Sequence, residues 1–102
     1  MVENIRVLLY ASSPTEKPAA VSDVYHQISQ RLVGTPGLLN SELLQKIGRP
    51  SEFIIMSEWS SIDAFRAWED GPSHRQATAP LRPYHNGSYG AVFGIYKVAV
   101  EY

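Results

Sequence analysis

The stretch Phe53–Trp68, FIIMSEWSSIDAFRAW, decides the fold. It reads as a strand, a serine turn and a helix. In an extended chain Phe53, Ile55, Ser57 and Trp59 point to one side, and Ile54, Met56 and Glu58 to the other. Both sides are largely apolar, as in a strand covered on two faces. Ser60 or Ser61 caps the helix that follows. A hydroxyl there accepts from a free backbone N–H, and Asp63 lies near the positive end of the helix dipole. Ile62, Phe65 and Trp68 then recur at helical spacing. Trp59 and Trp68 together suggest an aromatic wall.

Upstream, Ile5–Ala11 reads as a strand, with Val7, Leu9 and Ala11 on one side and Leu8 and Tyr10 on the other. A polar connection through Pro18 leads to a helix over Ala19–Val33. Its apolar stripe is Val21, Val24, Tyr25, Ile28 and Leu32. Gly34 stops it, and Thr35-Pro36-Gly37 turns the chain. Leu38–Lys46 is ambiguous by periodicity, but its place between two turn signals favours a strand. Gly48–Ser51 then serves as a hairpin loop into Phe53.

Downstream, Gly71-Pro72 breaks the chain, a short helix spans Ser73–Ala79, and Pro80–Ser88 is a loop. Tyr89–Tyr102 reads as one long strand, with Val92, Tyr96, Val98 and Val100 on one side and Phe93, Ile95 and Ala99 on the other. The order is β-α-β-β-α-β. It predicts an α+β fold of the ferredoxin-like kind, a four-stranded antiparallel sheet with helices on one face.

That arrangement leaves the second sheet face bare, bearing Ile54, Met56, Phe93 and Ile95. An apolar patch of this size marks an interface. At about 25 cal/mol per Å2, covering it contributes on the order of 10 kcal/mol before ordering costs. A homodimer packed sheet against sheet about a two-fold axis is therefore expected.

With 102 residues, the chain is expected to form one domain over 1–102. Its 44% apolar and 19% charged content suits a folded globular chain, and a net charge of -1 announces neither nucleic acid nor an anionic membrane surface. The absence of cysteine excludes disulfides, thiolate metal sites, iron–sulfur clusters and thiol nucleophiles. No signal-peptide pattern is evident, and no apolar run approaches the roughly 18 residues of a membrane span. These features lead us to expect a cytoplasmic protein. His26, His74 and His85 have no metal-ligand spacing, and no phosphate loop or nucleophile elbow is present.

Several pieces in this order resemble the antibiotic biosynthesis monooxygenase (ABM) family of the dimeric α/β-barrel superfamily. They are Pro36-Gly37-Leu38, Glu58-Trp59-Ser60-Ser61, Asp63-Ala64-Phe65 with Trp68, and Ser73-His74. The resemblance covers residues 5 to 100. It implies an oxygenase without metal or flavin that oxidises a planar aromatic substrate, such as a polyketide, anthrone or hydroquinone, with O2. A deprotonated electron-rich ring can donate an electron to O2 itself. The protein need only hold the ring dry, take a proton and stabilise negative charge.

The candidate catalytic residues are His74, as a base near neutral pH, and Trp59, which would stack the substrate and offer its indole N–H. Candidate substrate contacts are Trp59, Trp68, Tyr25, Phe65, Tyr96, Arg75 and His85, with Tyr89 a further tyrosine that could line the space. Each has a plainer alternative: core packing for the aromatics, solvent for Arg75, a connector for His85. His26 lies on the polar side of its helix. Two positions depart from some quinone-forming relatives, which carry Asn and Tyr where this chain has Ile55 and Phe65. A non-catalytic ligand-binding dimer, or a cofactor-free cyclase or isomerase, therefore stands as the alternative. The haem-degrading branch is disfavoured, since its first-strand Asn is absent and Thr78 stands at its histidine position.

Overall fold

A computed structural model describes residues 4–88 and 90–102, without the side chains of Pro72 and Ser73. Tyr89, considered above as a pocket residue, lies outside the described residues. The chain runs β1 (Ile5–Ser12), α1 (Ala20–Leu32), β2 (Leu38–Lys46), β3 (Arg49–Trp59), α2 (Ile62–Asp70), α3 (Pro72–Thr78), a 3-10 helix (Ala79–Tyr84) and β4 (Phe93–Lys97). The strands form one antiparallel sheet in the order β2-β3-β1-β4. This is the ferredoxin-like α+β arrangement.

Local chemistry sets the element ends. The first turn of α1 has no cap from its own flank, but Ser13, eight residues upstream, accepts from Val21 N–H at 3.1 Å. The Ser13 hydroxyl is buried there with its bond satisfied. Ser61, not Ser60, caps α2, accepting from Ala64 N–H at 3.0 Å. The hairpin is tighter than expected. Lys46 pairs with Arg49, so Arg49–Ser51 belongs to β3 and the turn is only Ile47-Gly48. Gly48 makes it possible, at φ +90°.

Beneath the helices, Ala11, Val21, Ile28, Phe53 and Leu81 form one buried cluster. Ile5, Val7, Trp59 and Phe65 form a second. Both draw on the sheet face that carries the odd-numbered residues of β1 and β3.

Two expectations about the last strand are corrected. First, β4 spans only Phe93–Lys97, paired with Ile5–Leu9 of β1 and extended by one bond at each end, Val98 N–H to Asn4 C=O at 3.0 Å and Tyr10 N–H to Val92 C=O at 2.8 Å. β1 begins at Ile5, and beyond Tyr10 its edge is taken by Asn86 N–H on Tyr10 C=O and by the His85–Ala11 bridge. Second, Phe93 and Ile95 do not lie on the bare face. They pair with Leu9 and Val7, and directly paired residues share a face, so both point toward the helices. The bare face instead carries Leu8, Tyr10, Leu44, Ile54, Met56 and Tyr96, flanked by the Arg6–Glu58 ion pair at 3.6 Å. No helix among the described residues is long and apolar enough to cross a membrane.

Candidate functional site

Between sheet and helices lies a cavity of about 200 Å3. Its floor is the sheet: Val7 and Leu9 from β1, Ser41 from β2, Ile55, Ser57 and Trp59 from β3, Phe93 from β4. Its roof comes from Ile28 and Leu32 of α1, Phe65, Trp68 and Glu69 of α2, and His74 and Thr78 of α3. Leu81, Arg82 and His85 close one side.

The aromatic wall follows from the quoted stretch. Trp59 ends β3 pointing inward and is 1% exposed. Phe65 meets it edge-on with ring centroids 5.4 Å apart, and Trp68 lies against it at 5.4 Å and 34°. The Trp59 indole N–H, expected to be offered to a ligand, is already engaged: it donates to Ser57 Oγ at 2.9 Å. Among the described residues no buried side-chain nitrogen or oxygen lacks a hydrogen-bond partner.

His74 presents its ring edge-on to Trp68, centroids 4.5 Å apart. Burial holds its pKa below the ordinary 6.5; Glu69 opposes this, and Arg82 and Arg75 add to it. His85 is also lowered, by burial and then by Arg82. Both imidazoles are thus held toward the neutral form, the form that accepts a proton. His85 reaches the site because its backbone bridges to Ala11 of β1.

The structure therefore gathers His74, Trp59, Trp68, Phe65 and His85 around one space. Three other candidates lie elsewhere. Tyr96 pairs with Arg6 on the bare face, half exposed, with its ring over Gly94. Arg75 is exposed and off the lining. Tyr25 is not itself in the lining, and it reaches the cavity only through Ser41, whose Oγ lies 3.1 Å from its hydroxyl. Sequence reasoning missed Ser41, Ser57, Glu69, Thr78 and Arg82 as lining groups. Only Ser57 had a signal, its place on the inward side of β3. The apolar departures Ile55 and Phe65 both face the cavity.

The sequence pattern of antibiotic biosynthesis monooxygenases matches residues 4–80. The chain belongs to the antibiotic biosynthesis monooxygenase family. Among curated relatives of this ABM chain, Protein SchA of Streptomyces halstedii is 30% identical over 95% of it. A 42.8 kDa protein from the whiE locus of Streptomyces coelicolor is 29% identical over 76% of it. The ABM chain spans 26% of the first and 19% of the second, so these relatives are several times longer. Among solved structures, a variant of SnoaB, a cofactor-independent oxygenase from Streptomyces nogalater, superposes with a TM-score of 0.81 at 16% identity, over 97% of this chain and 96% of that one. At that identity the likeness shows a shared fold.

Proposed function

We propose that this chain is a monooxygenase that uses no metal or flavin and inserts oxygen from O2 into a planar aromatic substrate such as an anthrone or related polyketide ring. The observation that carries the reading is the apolar cavity whose Trp59–Phe65–Trp68 wall stands beside His74, an imidazole that burial holds toward its proton-accepting form. A flat ring held between sheet and helices would stack on this wall and lose water from that side.

The chemistry closes on this chain's own groups and O2. His74 takes a proton from an acidic ring CH2. The carbanion passes one electron to O2, and the ring radical and superoxide combine to form a C–O bond. The His74 imidazolium returns its proton to the distal peroxide oxygen, and the O–O bond then breaks as the remaining C–H proton leaves, giving a carbonyl and, from the departing hydroxide and that proton, water. The guanidinium of Arg82, at the cavity edge, favours the anionic stages.

In this reading residues 1–102 act as one domain in the cytoplasm, and two copies pair through their bare sheet faces. Oxygen uptake and product mass with a panel of anthrones and hydroquinones test it. Turnover above buffer is expected, with His74→Gln losing about a hundredfold or more. No acceleration across the panel sinks the oxygenase reading. Ile55 and Phe65, apolar where some quinone-forming relatives are polar, favour a second reading, a dimer that binds an aromatic ligand without turnover. A product of unchanged mass would instead identify a cyclase or isomerase.

A further inference from the structure

Two serines stand side by side on the cavity floor. Ser41 of β2 is the direct cross-strand partner of Ser57 of β3, and both line the cavity. Directly paired residues on one face place their Cβ atoms about 5 Å apart. Around them the floor is apolar, formed by Val7, Leu9, Ile55 and Phe93. In such surroundings a hydroxyl without a partner is costly.

Each serine has a partner, and it is an aromatic side chain. Trp59 Nε1–H donates to Ser57 Oγ at 2.9 Å. An indole N–H only donates, so this bond fills an acceptor site on Ser57 and leaves the serine's own proton unused. The Tyr25 hydroxyl lies 3.1 Å from Ser41 Oγ. With Tyr25 as donor, the Ser41 proton is left over in the same way. With that proton placement, the two aromatic groups orient two O–H donors beside each other in an apolar floor.

We propose that Ser41 and Ser57 form a two-donor site for one oxygen of the bound ring system, a ring carbonyl that becomes an enolate oxygen on deprotonation. This rests on the aromatic-substrate reading above and specifies how the ring is held. In an anthrone the carbonyl and the acidic CH2 occupy opposite edges of the central ring. With the oxygen on the sheet serines, the CH2 faces the helix side, where His74 stands. Charge leaving the CH2 carbon arrives on the carbonyl oxygen, where donors already wait. Trp59 and Tyr25 then act as positioning residues for the serines.

Binding measured without O2 tests the site independently of turnover. Anthrone and 9,10-dihydroanthracene share a three-ring skeleton and differ only in the carbonyl oxygen. Quenching of tryptophan fluorescence reports both, since Trp59 and Trp68 line the cavity. Wild type should favour anthrone by about tenfold, as one or two net hydrogen bonds allow. The Ser41→Ala/Ser57→Ala double variant should bind the two alike, and Ser41→Thr should keep the preference. Should circular dichroism show the double variant unfolded, Ser41→Ala alone, which leaves the Trp59–Ser57 bond intact, must lower the ratio. Equal affinities in wild type, an undiminished preference in the serine variants, or no anthrone binding overturns the proposal. Preference without later turnover fails the oxygenase reading alone; turnover without preference fails the serine site alone.

Discussion

The His74 imidazole stands edge-on to the Trp68 indole, ring centroids 4.5 Å apart and planes at 82°. That contact removes water from one side of the imidazole, and burial is the largest cause of its lowered pKa. Arg82 lowers both His74 and His85, whereas Arg75 acts on His74 alone. An NMR titration of the ring protons should place both histidines below 6.5. Arg82→Gln should raise both toward that value, and Arg75→Gln should raise only His74. A variant of Arg82 that moves neither would show that Arg82 has no part in the lowering and leave burial as its main cause.

The same shifts make stability depend on pH. Below 6.5 the unfolded chain takes up protons that the folded histidines resist, so unfolding is favoured as pH falls. This contribution is fully present above 6.5 and is lost as pH drops through the lower folded values. Urea midpoints from pH 7.5 to 5 should therefore decline, and a His74→Gln/His85→Gln variant should show a shallower decline. An unchanged slope in the double variant would assign the decline to other groups.

Gly37 ends the turn into β2 at φ +83°, a conformation that side chains resist. A Cβ there would also strike the Ala64 Cβ and come within 3.1 Å of Ser60 Oγ. Gly37 C=O accepts from Ser60 N–H at 2.8 Å, so the turn is fastened to the start of α2. Gly37→Ala combines backbone strain with a clash and should cost about 2–4 kcal/mol. For a domain of this size, the thermal midpoint should fall by roughly 10–20 °C. Gly34→Ala, at φ +82° with open space around it, carries strain without the clash and should cost visibly less.

Which serine caps α2 is directly testable. Ser61 is extended, at φ -157° and ψ 159°, and its Oγ receives Ala64 N–H. Ser61→Ala should cost about 1 kcal/mol, and Ser60→Ala only a few tenths. Equal losses would mean the cap is shared.

The contrast between those serines shows where sequence reading stops. Alternation in Phe53–Trp59 and the spacing of Ile62, Phe65 and Trp68 are local signals, and both elements formed as read. Choosing between adjacent caps needs one backbone angle, which composition does not encode. The faces of Phe93 and Ile95 depend on register against β1, and an offset of one residue reverses every side chain. Tyr96 illustrates the consequence: an aromatic residue one place along β4 lies on the opposite side of the sheet from the cavity. The aromatic wall was legible because one short stretch supplies it. Ser41, Arg82 and Thr78 were not, because they come from separate elements that only the folded chain brings together.

The bare face poses the last question. Leu8 pairs with Met56 and Tyr10 with Ile54 across β1 and β3, which places an apolar row at the centre of the sheet. Tyr96 and Leu44, 50% and 42% exposed, extend it on either flank. A carboxylate in that row is harmless on a surface facing water and costly against an apolar partner, where it would be buried unpaired. Leu8→Glu, whose cross-strand partners Met56 and Gly94 are uncharged, therefore distinguishes the two situations without touching the cavity, which opens on the other face; Met56 is unsuitable because Glu42 stands directly opposite it. Sedimentation at micromolar concentration should show a wild-type dimer and a variant shifted toward monomer, with far-ultraviolet circular dichroism unchanged. A wild-type monomer, or a variant that dimerises as well as its parent, would assign the apolar row to some role other than pairing of two copies.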